Sequence, residues 1–396
     1  MNAITIEDTS AAAPPRQRFT VDGNDELENY LEKICARIAS GLRGLIPARK
    51  LQAVLLGGGY GRGEGGAWRS SEGDRPYNDF EFYVCLRGNR HWNERRYRKP
   101  IEILGEILTP QAGVHVEFKI ISLAELARRP VSMFSYDLVM GHRCLAGDER
   151  LLAACARHRQ AQDIPLAEAT RLLMNRCSGL LFARERLLRA NFTPADADFV
   201  RRNIAKAELA LGDAVLAVYR RYHWSCLERQ ARLRRLESME PLPWLEEIRS
   251  RHASAVEFKL RPKRGIASAA ALLKPHAIVS DLSLQVWLWL EGLRLDAVFN
   301  SAHDYATSKI NKCPETFGAR NFLLRWKAPG SWPALRRLSF RHPREKILHA
   351  LTLLLWEPAT LVQPALLKRV QAELNTSAAC FPDLVAAYQA IWRSVS

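Results

Sequence analysis

The chain lacks most of the features that mark secreted, metal-stapled or membrane proteins. Its eight cysteines, at 35, 85, 144, 155, 177, 226, 313 and 380, are scattered singly. None stands at structural-zinc spacing, and none suggests a disulfide framework. The first twenty residues hold Ala11-Ala12-Ala13-Pro14-Pro15, have no apolar leader, and read as a flexible tail. These absences together predict reduced thiols in a cytoplasmic setting. No run of about twenty residues is apolar enough to span a bilayer. The closest, 351–367, is interrupted by Glu357, Pro358 and Pro364.

Lysine is scarce, 13 residues against 45 arginines, and acidic charge is short in one half only. Residues 1–150 carry 21 basic and 20 acidic side chains, whereas 151–396 carry 37 and 22. Nearly the whole net charge of +16 therefore sits in the second part. Such an excess fits an anionic partner: a triphosphate tail, RNA or an acidic protein face. It also fits arginine-rich helices that only face solvent. No known nucleic-acid module is present. At 396 residues and 47% hydrophobic composition, the chain can bury the cores of two domains or three small ones.

The chemistry is concentrated in residues 57–83, GGGYGRGEGGAWRSSEGDRPYNDFEFY. The preceding LQAVLL, 51–56, reads as a buried strand. Gly58, Gly59, Gly61 and Gly63 follow, with Arg62 and Glu64 among them. After a loop rich in Gly, Ser, Asp and Pro, Asp79-Phe80-Glu81-Phe82-Tyr83-Val84 reads as a second strand. Alternation puts Asp79 and Glu81 on one face. Neighbouring carboxylates repel unless a cation lies between them, and Mg²⁺ suits oxygen ligands that share it with a phosphate. A glycine-rich turn into a helix offers backbone N–H groups to phosphate. The combination points to nucleotide chemistry.

In this stretch the chain resembles the nucleotidyltransferase superfamily that includes DNA polymerase β. That family runs strand, Gly-Gly or Gly-Ser, short helix, Asp-x-Asp/Glu on the next strand, and a third carboxylate on a later one. The run GGYGRGE, 58–64, is similar to the catalytic motif of the bacterial uridylyltransferase of nitrogen regulation. The resemblance covers roughly 50–150, about a quarter of the chain. It implies that Gly58 and Gly59 lie against a triphosphate and that Asp79 and Glu81 ligate metal. Glu117, in VHVEFKI at 114–120, would be the third carboxylate, and Arg62 would offset charge on the β- or γ-phosphate. The segment 65–77 is longer than in the uridylyltransferase, and the second carboxylate is Glu rather than Asp. No HD-type phosphohydrolase signature or small-molecule-sensing repeat follows, so a role in nitrogen regulation is not implied. A second VEFK, 256–259, lies among helix-rich residues and reads as a solvated face.

The implied activity is Mg²⁺-dependent transfer of a nucleoside monophosphate from an NTP to an acceptor hydroxyl, releasing pyrophosphate. RNA or a protein suits the basic second part as acceptor, whereas a cationic antibiotic-type small molecule suits it less. A non-catalytic nucleotide-binding or scaffold protein is the alternative from another class.

Alternating elements up to about 150 predict an α+β chain: a flexible tail over 1–20, a small mixed-sheet nucleotidyltransferase domain over 21–150, and a larger all-helical domain over 151–396, with a division near 250 left open. In the first domain, 24–45 and 94–108 read as helices, 114–121 as the third-carboxylate strand and 142–145 as a closing strand. Helical spacing then recurs at 166–190, 196–222, 266–271, 282–299, 343–356, 363–374 and 382–395. Prolines 241, 243, 262, 275, 314, 329 and 333 punctuate the connections. Trp287, Trp289, Trp326, Trp332, Trp356 and Trp392 read as core and seam residues. On 201–222, Asn203, Lys206 and Asp213 share a polar face. Lys206, with Asn203 beside it, is the candidate triphosphate contact, and Asn175 and Arg176 flank it. An ion pair between Lys206 and Asp213 is the structural alternative. Arg261, Lys263 and Arg264 form the first place to seek polyanion contacts.

Overall fold

The computed structural model describes residues 18–395 apart from 239, 264, 266, 317, 319–320 and 322–340. Expectations placed on residues 1–17, Trp326, Trp332, Pro329, Pro333 and Arg264 lie outside the described residues. The chain is α+β, with a small mixed sheet followed by a larger helical region.

Helix α1 (Asp25–Leu45) begins where the Asn24 side chain accepts from Leu27 N at 2.9 Å. Its stripe of Leu27, Leu31, Ile34, Ile38 and Leu42 is buried on the sheet. Strand β1 (Leu51–Leu56) leads into a single helical turn, α2 (Gly58–Gly61). A hairpin of β2 (Ala67–Ser70) and β3 (Gly73–Pro76) occupies what reads in the sequence as loop. Gly73, Asp74 and Pro76 make β3 read as turn, and β2 has only four residues in which to show an alternation. Strand β4 (Phe80–Leu86), helix α3 (Arg90–Ala112) and β5 (Val116–Ile121) form a crossover that lets β5 lie parallel to β4. Short helices α4 (Leu123–Arg128) and α5 (Met133–Met140) precede the edge strand β6 (Arg143–Gly147). The sheet order is β5-β4-β1-β6.

Both faces of the sheet are covered, so the buried part of β1, 53–56, is a continuous apolar run. Val54, Leu56, Phe80, Phe82 and Val84 pack beneath α1 and α3. Ala53, Leu55, Tyr83 and Cys85 face α4 and α5. The 3₁₀ stretch Glu149–His158 belongs with this second layer: Leu152 and Cys155 join its core, and His158 Nε2 bonds Leu126 O at 2.8 Å. The α/β layer thus runs about ten residues past the boundary expected at 150. Arg18–Thr20 also belongs to it, because Phe19 is buried and Thr20 bridges to Gly65.

The helical region is built from α6 (Leu166–Leu187), α7 (Pro194–Val218), α8 (Cys226–Arg234), α9 (Leu245–Leu260), α10 (Ala269–Leu295), α11 (Ala302–Thr307), α12 (Arg344–Trp356), α13 (Pro364–Leu374) and α14 (Phe381–Val395). One apolar core runs from Met133 and Tyr136 of α5 through to Tyr388, and α9 passes unbroken through 250. No division falls there. Pro275, expected to break the chain, lies inside α10 near its start. The inner stripe Val279, Leu282, Val286 and Leu290 outweighs the one hydrogen bond that proline forfeits. Trp287 is fully buried, and Trp289, Trp356 and Trp392 pack at the margin of the same core. All eight cysteines are free, and no described helix is long and apolar enough to cross a membrane.

A buried ionic network joins the two layers. Asp213 on α7 pairs with Arg229 Nε of α8 at 2.8 Å and faces His252 Nε2 of α9 at 3.4 Å. Arg229 Nη1 donates to Tyr222 Oη at 2.9 Å, and Tyr222 Oη donates to Asp137 Oδ2 of α5 at 3.2 Å. Burial raises the Asp213 pKa, but the charges of Arg229 and His252 outweigh it and hold the carboxyl below its usual value. Removing one partner strands the other charge in the interior. Arg229→Met should cost about 3–5 kcal/mol by urea denaturation. Replacing both partners with apolar residues should recover most of that loss. An Arg229→Met loss below about 1 kcal/mol would show the network to be solvated.

Candidate functional site

The acidic residues are brought together by strand register. Glu81 of β4 lies directly opposite Glu117 of β5 in the parallel ladder. Asp79 stands immediately before β4, and its charge acts on Lys206 together with that of Glu81. The face of Glu81 also carries Tyr83 and Cys85, towards α5 and the helical region. Asp79 is exposed, and Glu81 and Glu117 are half-buried. Tyr83 Oη donates to Glu81 Oε2 at 3.0 Å, which fixes the orientation of that carboxylate. Burial first, and then the Glu81 charge, push the Tyr83 pKa well up, so the phenol stays a donor. Glu117 Oε2 pairs with Lys119 Nζ at 3.2 Å.

The glycine turn meets this face directly. Gly57 N donates to Glu81 O at 2.8 Å. Gly58 has φ +61°, and a Cβ there would come 3.1 Å from Glu81 Oε1. A side chain at 58 would be strained and would fill the space beside that carboxylate. Gly59 packs equally closely, with Glu64 O 2.9 Å from where a Cβ would stand.

Two cations approach from the helical region. Lys206 of α7 has its pKa lowered, first by desolvation and then by the charges of Arg176 and Arg202, while Asp79 and Glu81 act in the opposite sense. Arg176 of α6 is likewise lowered by burial, offset by Asp213 and Glu81. Among the described residues Lys206 has no ion-pair partner; Asp213, its expected structural partner, is taken by Arg229 and His252. Crowded cations opposite carboxylates form a place where added negative charge is stabilised. Asn175 Oδ1 is buried there without a hydrogen-bond partner. Asn203 turns elsewhere: its amide donates to Phe199 O at 2.8 Å, and its oxygen lies against Gly179 of α6. On α7 that residue serves helix packing.

Two charged residues of the glycine motif reach the helical region instead of the acidic face. Arg62 Nη1 binds Asp137 Oδ2 at 3.1 Å and Trp224 O at 3.2 Å. It is therefore committed to the seam, not exposed beside a phosphate as the resemblance implies. Glu64 is 5% exposed and caps α8. It accepts from Cys226 N at 2.8 Å, from Leu227 N at 3.3 Å and from Ser225 Oγ. A carboxylate at a helix N-terminus meets unsatisfied N–H groups and the positive end of the dipole. The sequence reading assigned Glu64 no role. The available signal was Ser225-Cys226-Leu227-Glu228, a helix-start pattern whose donors call for an acceptor.

Two concavities, of about 690 and 460 Å³, lie elsewhere, one lined by Arg18, Glu32 and Arg143 and the other by Tyr30, Trp68 and Arg75. Neither includes Asp79, Glu81 or Glu117. The loop residue Arg261 is spent on Asp22 and Glu257. No family model matches this chain, and neither a curated protein nor a solved structure does.

The capping contact sets a pH dependence. Burial pushes Glu64 up, but the Lys259 charge and the bonds from Ser225 and Cys226 outweigh it and leave the pKa lowered. A depressed carboxylate contributes stability above its unfolded value, about 4.3, and loses it as pH falls through the folded value. Glu64→Gln should therefore cost about 1.5–3 kcal/mol at neutral pH, and the gap between variant and parent should close below about pH 4. Urea denaturation across pH checks this. A gap that persists undiminished at about pH 3 would mean that the Glu64 charge is not what caps α8.

Proposed function

We propose that the chain is a nucleotidyltransferase that moves a nucleoside monophosphate from an NTP to an acceptor hydroxyl and releases pyrophosphate. The observation that carries this is the register of Glu81 on Glu117, with the Gly58 turn beside Glu81 and the Asp79 charge acting with Glu81 on Lys206. The opposed cations Lys206 and Arg176 add support, because they suit a triphosphate.

The donor set consists of carboxylate oxygens without thiol or imidazole, which fits a hard divalent cation such as Mg²⁺. Among the described residues no three His, Cys, Asp or Glu side chains are drawn close enough to form a ready cage. Mutual repulsion holds bare carboxylates apart, so their shared face is the relevant fit. Asp79, Glu81 and Glu117 would hold the ion. When bound, Mg²⁺ supplies charge neutralisation at the triphosphate and acidifies the acceptor hydroxyl.

The protein's own part is positioning and electrostatics. Gly58 leaves the space beside Glu81 open to a phosphate oxygen. Lys206 and Arg176 face the β- and γ-phosphates. Tyr83 orients Glu81. The acceptor oxygen bonds to the α-phosphorus as the α–β bridging bond breaks, and that electron pair leaves on pyrophosphate. Glu117 is the assigned acceptor of the hydroxyl proton. RNA or a protein is the proposed acceptor, in keeping with the basic helical region, and free cysteines are in keeping with a reducing cytoplasm.

The Glu117–Lys119 ion pair at 3.2 Å favours a second reading, a nucleotide-binding protein without turnover. Products separate the two. Release of pyrophosphate together with labelled acceptor in a cell extract supports transfer; stable NTP binding with neither supports the second reading. In calorimetry, Mg²⁺ should strengthen NTP binding to the parent and not to Asp79→Ala. Lys206→Met should weaken NTP binding about tenfold or more. Equal affinity with and without Mg²⁺ in both parent and Asp79→Ala would remove the assignment.

A further inference from the structure

The first half is nearly neutral in total, yet one part of it is densely basic. Residues 87–99 hold six basic side chains and one acidic, Glu94. Helix α3 starts here, and its inner face is used: Tyr97, Ile101 and Leu108 are buried against the sheet. Its outer face leaves Trp92 67% exposed, the most exposed aromatic side chain among the described residues. Arg95, Arg96 and Lys99 follow Trp92 at helical spacing and are exposed too. Arg87 is exposed in the preceding turn, and Lys50 Nζ lies beside Gly88 of that turn. Among the described residues Arg87, Arg95, Arg96 and Lys99 have no acidic partner. Arg90 and Arg98 are neutralised within the helix, by Glu94 at 2.7 Å and Glu102 at 2.9 Å.

This contrasts with the helical region, where much of the arginine excess is internally spent. Arg186 and Arg189 bind Asp196, Arg229 binds Asp213, Arg251 binds Glu208 and Arg294 binds Glu291. Free positive charge is therefore better gathered on α3 than its share of the net charge suggests.

We propose that the outer face of α3 and the turn before it bind single-stranded nucleic acid. The free cations Arg87, Arg95, Arg96, Lys99 and Lys50 track phosphates, and the Trp92 indole stacks a base. Backbone-tracking cations around an exposed aromatic plane are the two elements that sequence-tolerant strand binding requires. Anionic bilayers are matched less well. The other exposed apolar residues of this helix, Ile103 and Ile107, flank the exposed Glu106, which an anionic membrane would repel. The surface lies on the opposite side of the sheet from Asp79 and Glu81, so strand binding here does not depend on the catalytic proposal.

The test titrates fluorescent uridine and thymidine oligomers of about twelve nucleotides against the full chain at several salt concentrations. The parent should bind one or both oligomers, with log affinity falling linearly with log salt. Arg95→Ser/Arg96→Ser/Lys99→Ser should flatten that slope by about 2, near 0.7 per lost contact. Trp92→Ala should weaken binding about tenfold and leave the slope unchanged. Circular dichroism confirms that each variant is folded. Failure of the parent to bind either oligomer would overturn the proposal. So would unchanged affinity and slope in the triple variant, or binding to phosphatidylserine vesicles in place of oligomers.

Discussion

Everything around the acidic face depends on how the glycine turn is held, and it is held by Glu64. A carboxylate buried to 5% exposure carries a desolvation cost unless several donors meet it. Here the donors are the first N–H groups of α8 and the Ser225 hydroxyl. Both sides gain, because the helix start has unsatisfied N–H groups of its own. Two residues earlier, Arg62 makes the companion contact to Asp137 and Trp224 O. The turn that bears Gly58 is thereby tied to α5 and α8 at once. Helices α6 and α7, packed with α8 and α9, consequently present Lys206 and Arg176 to the carboxylates at a set position.

The electrostatics of that face follow from this arrangement. Parallel pairing of β4 with β5 places two glutamates side by side, a pairing that costs free energy in a sheet without a cation. Tyr83 and Lys119 each relieve one of them, by a hydrogen bond and an ion pair. Across the gap, Arg176 is depressed by burial, and Lys206, part of whose surface is exposed, by desolvation and by like charge. Each side alone is uncomfortable. A metal-bound triphosphate would relieve both, offering cation to the carboxylates and anion to Lys206 and Arg176.

Much of the local structure was legible in the sequence. Helix α1 shows an Asn cap and a five-residue apolar stripe; β1 is apolar apart from Gln52, and Glu81 stands on β4 with Asp79 just before it. Elements were missed where local chemistry contradicts tertiary packing. Pro275 reads as a break, yet the buried stripe carries α10 through it. The β2–β3 hairpin has strands of four residues, and β3 is written largely in turn residues. The site was half legible. Lys206 follows from helical spacing, but the same spacing drew in Asn203, which packs on Gly179. The roles of Arg62 and Glu64 could not be read from the motif, because Ser225 lies 161 residues beyond Glu64. Distant partners of this kind leave no periodic signal.

The most direct measurement is the position of a metal. Crystals grown with Mn²⁺ and a non-hydrolysable NTP would give an anomalous scattering peak wherever the ion binds. The account predicts a peak about 2.0–2.2 Å from carboxylate oxygens among Asp79, Glu81 and Glu117, with the triphosphate extending towards Lys206 and Arg176. Nucleotide bound elsewhere, or bound here with no ion on those carboxylates, would contradict it.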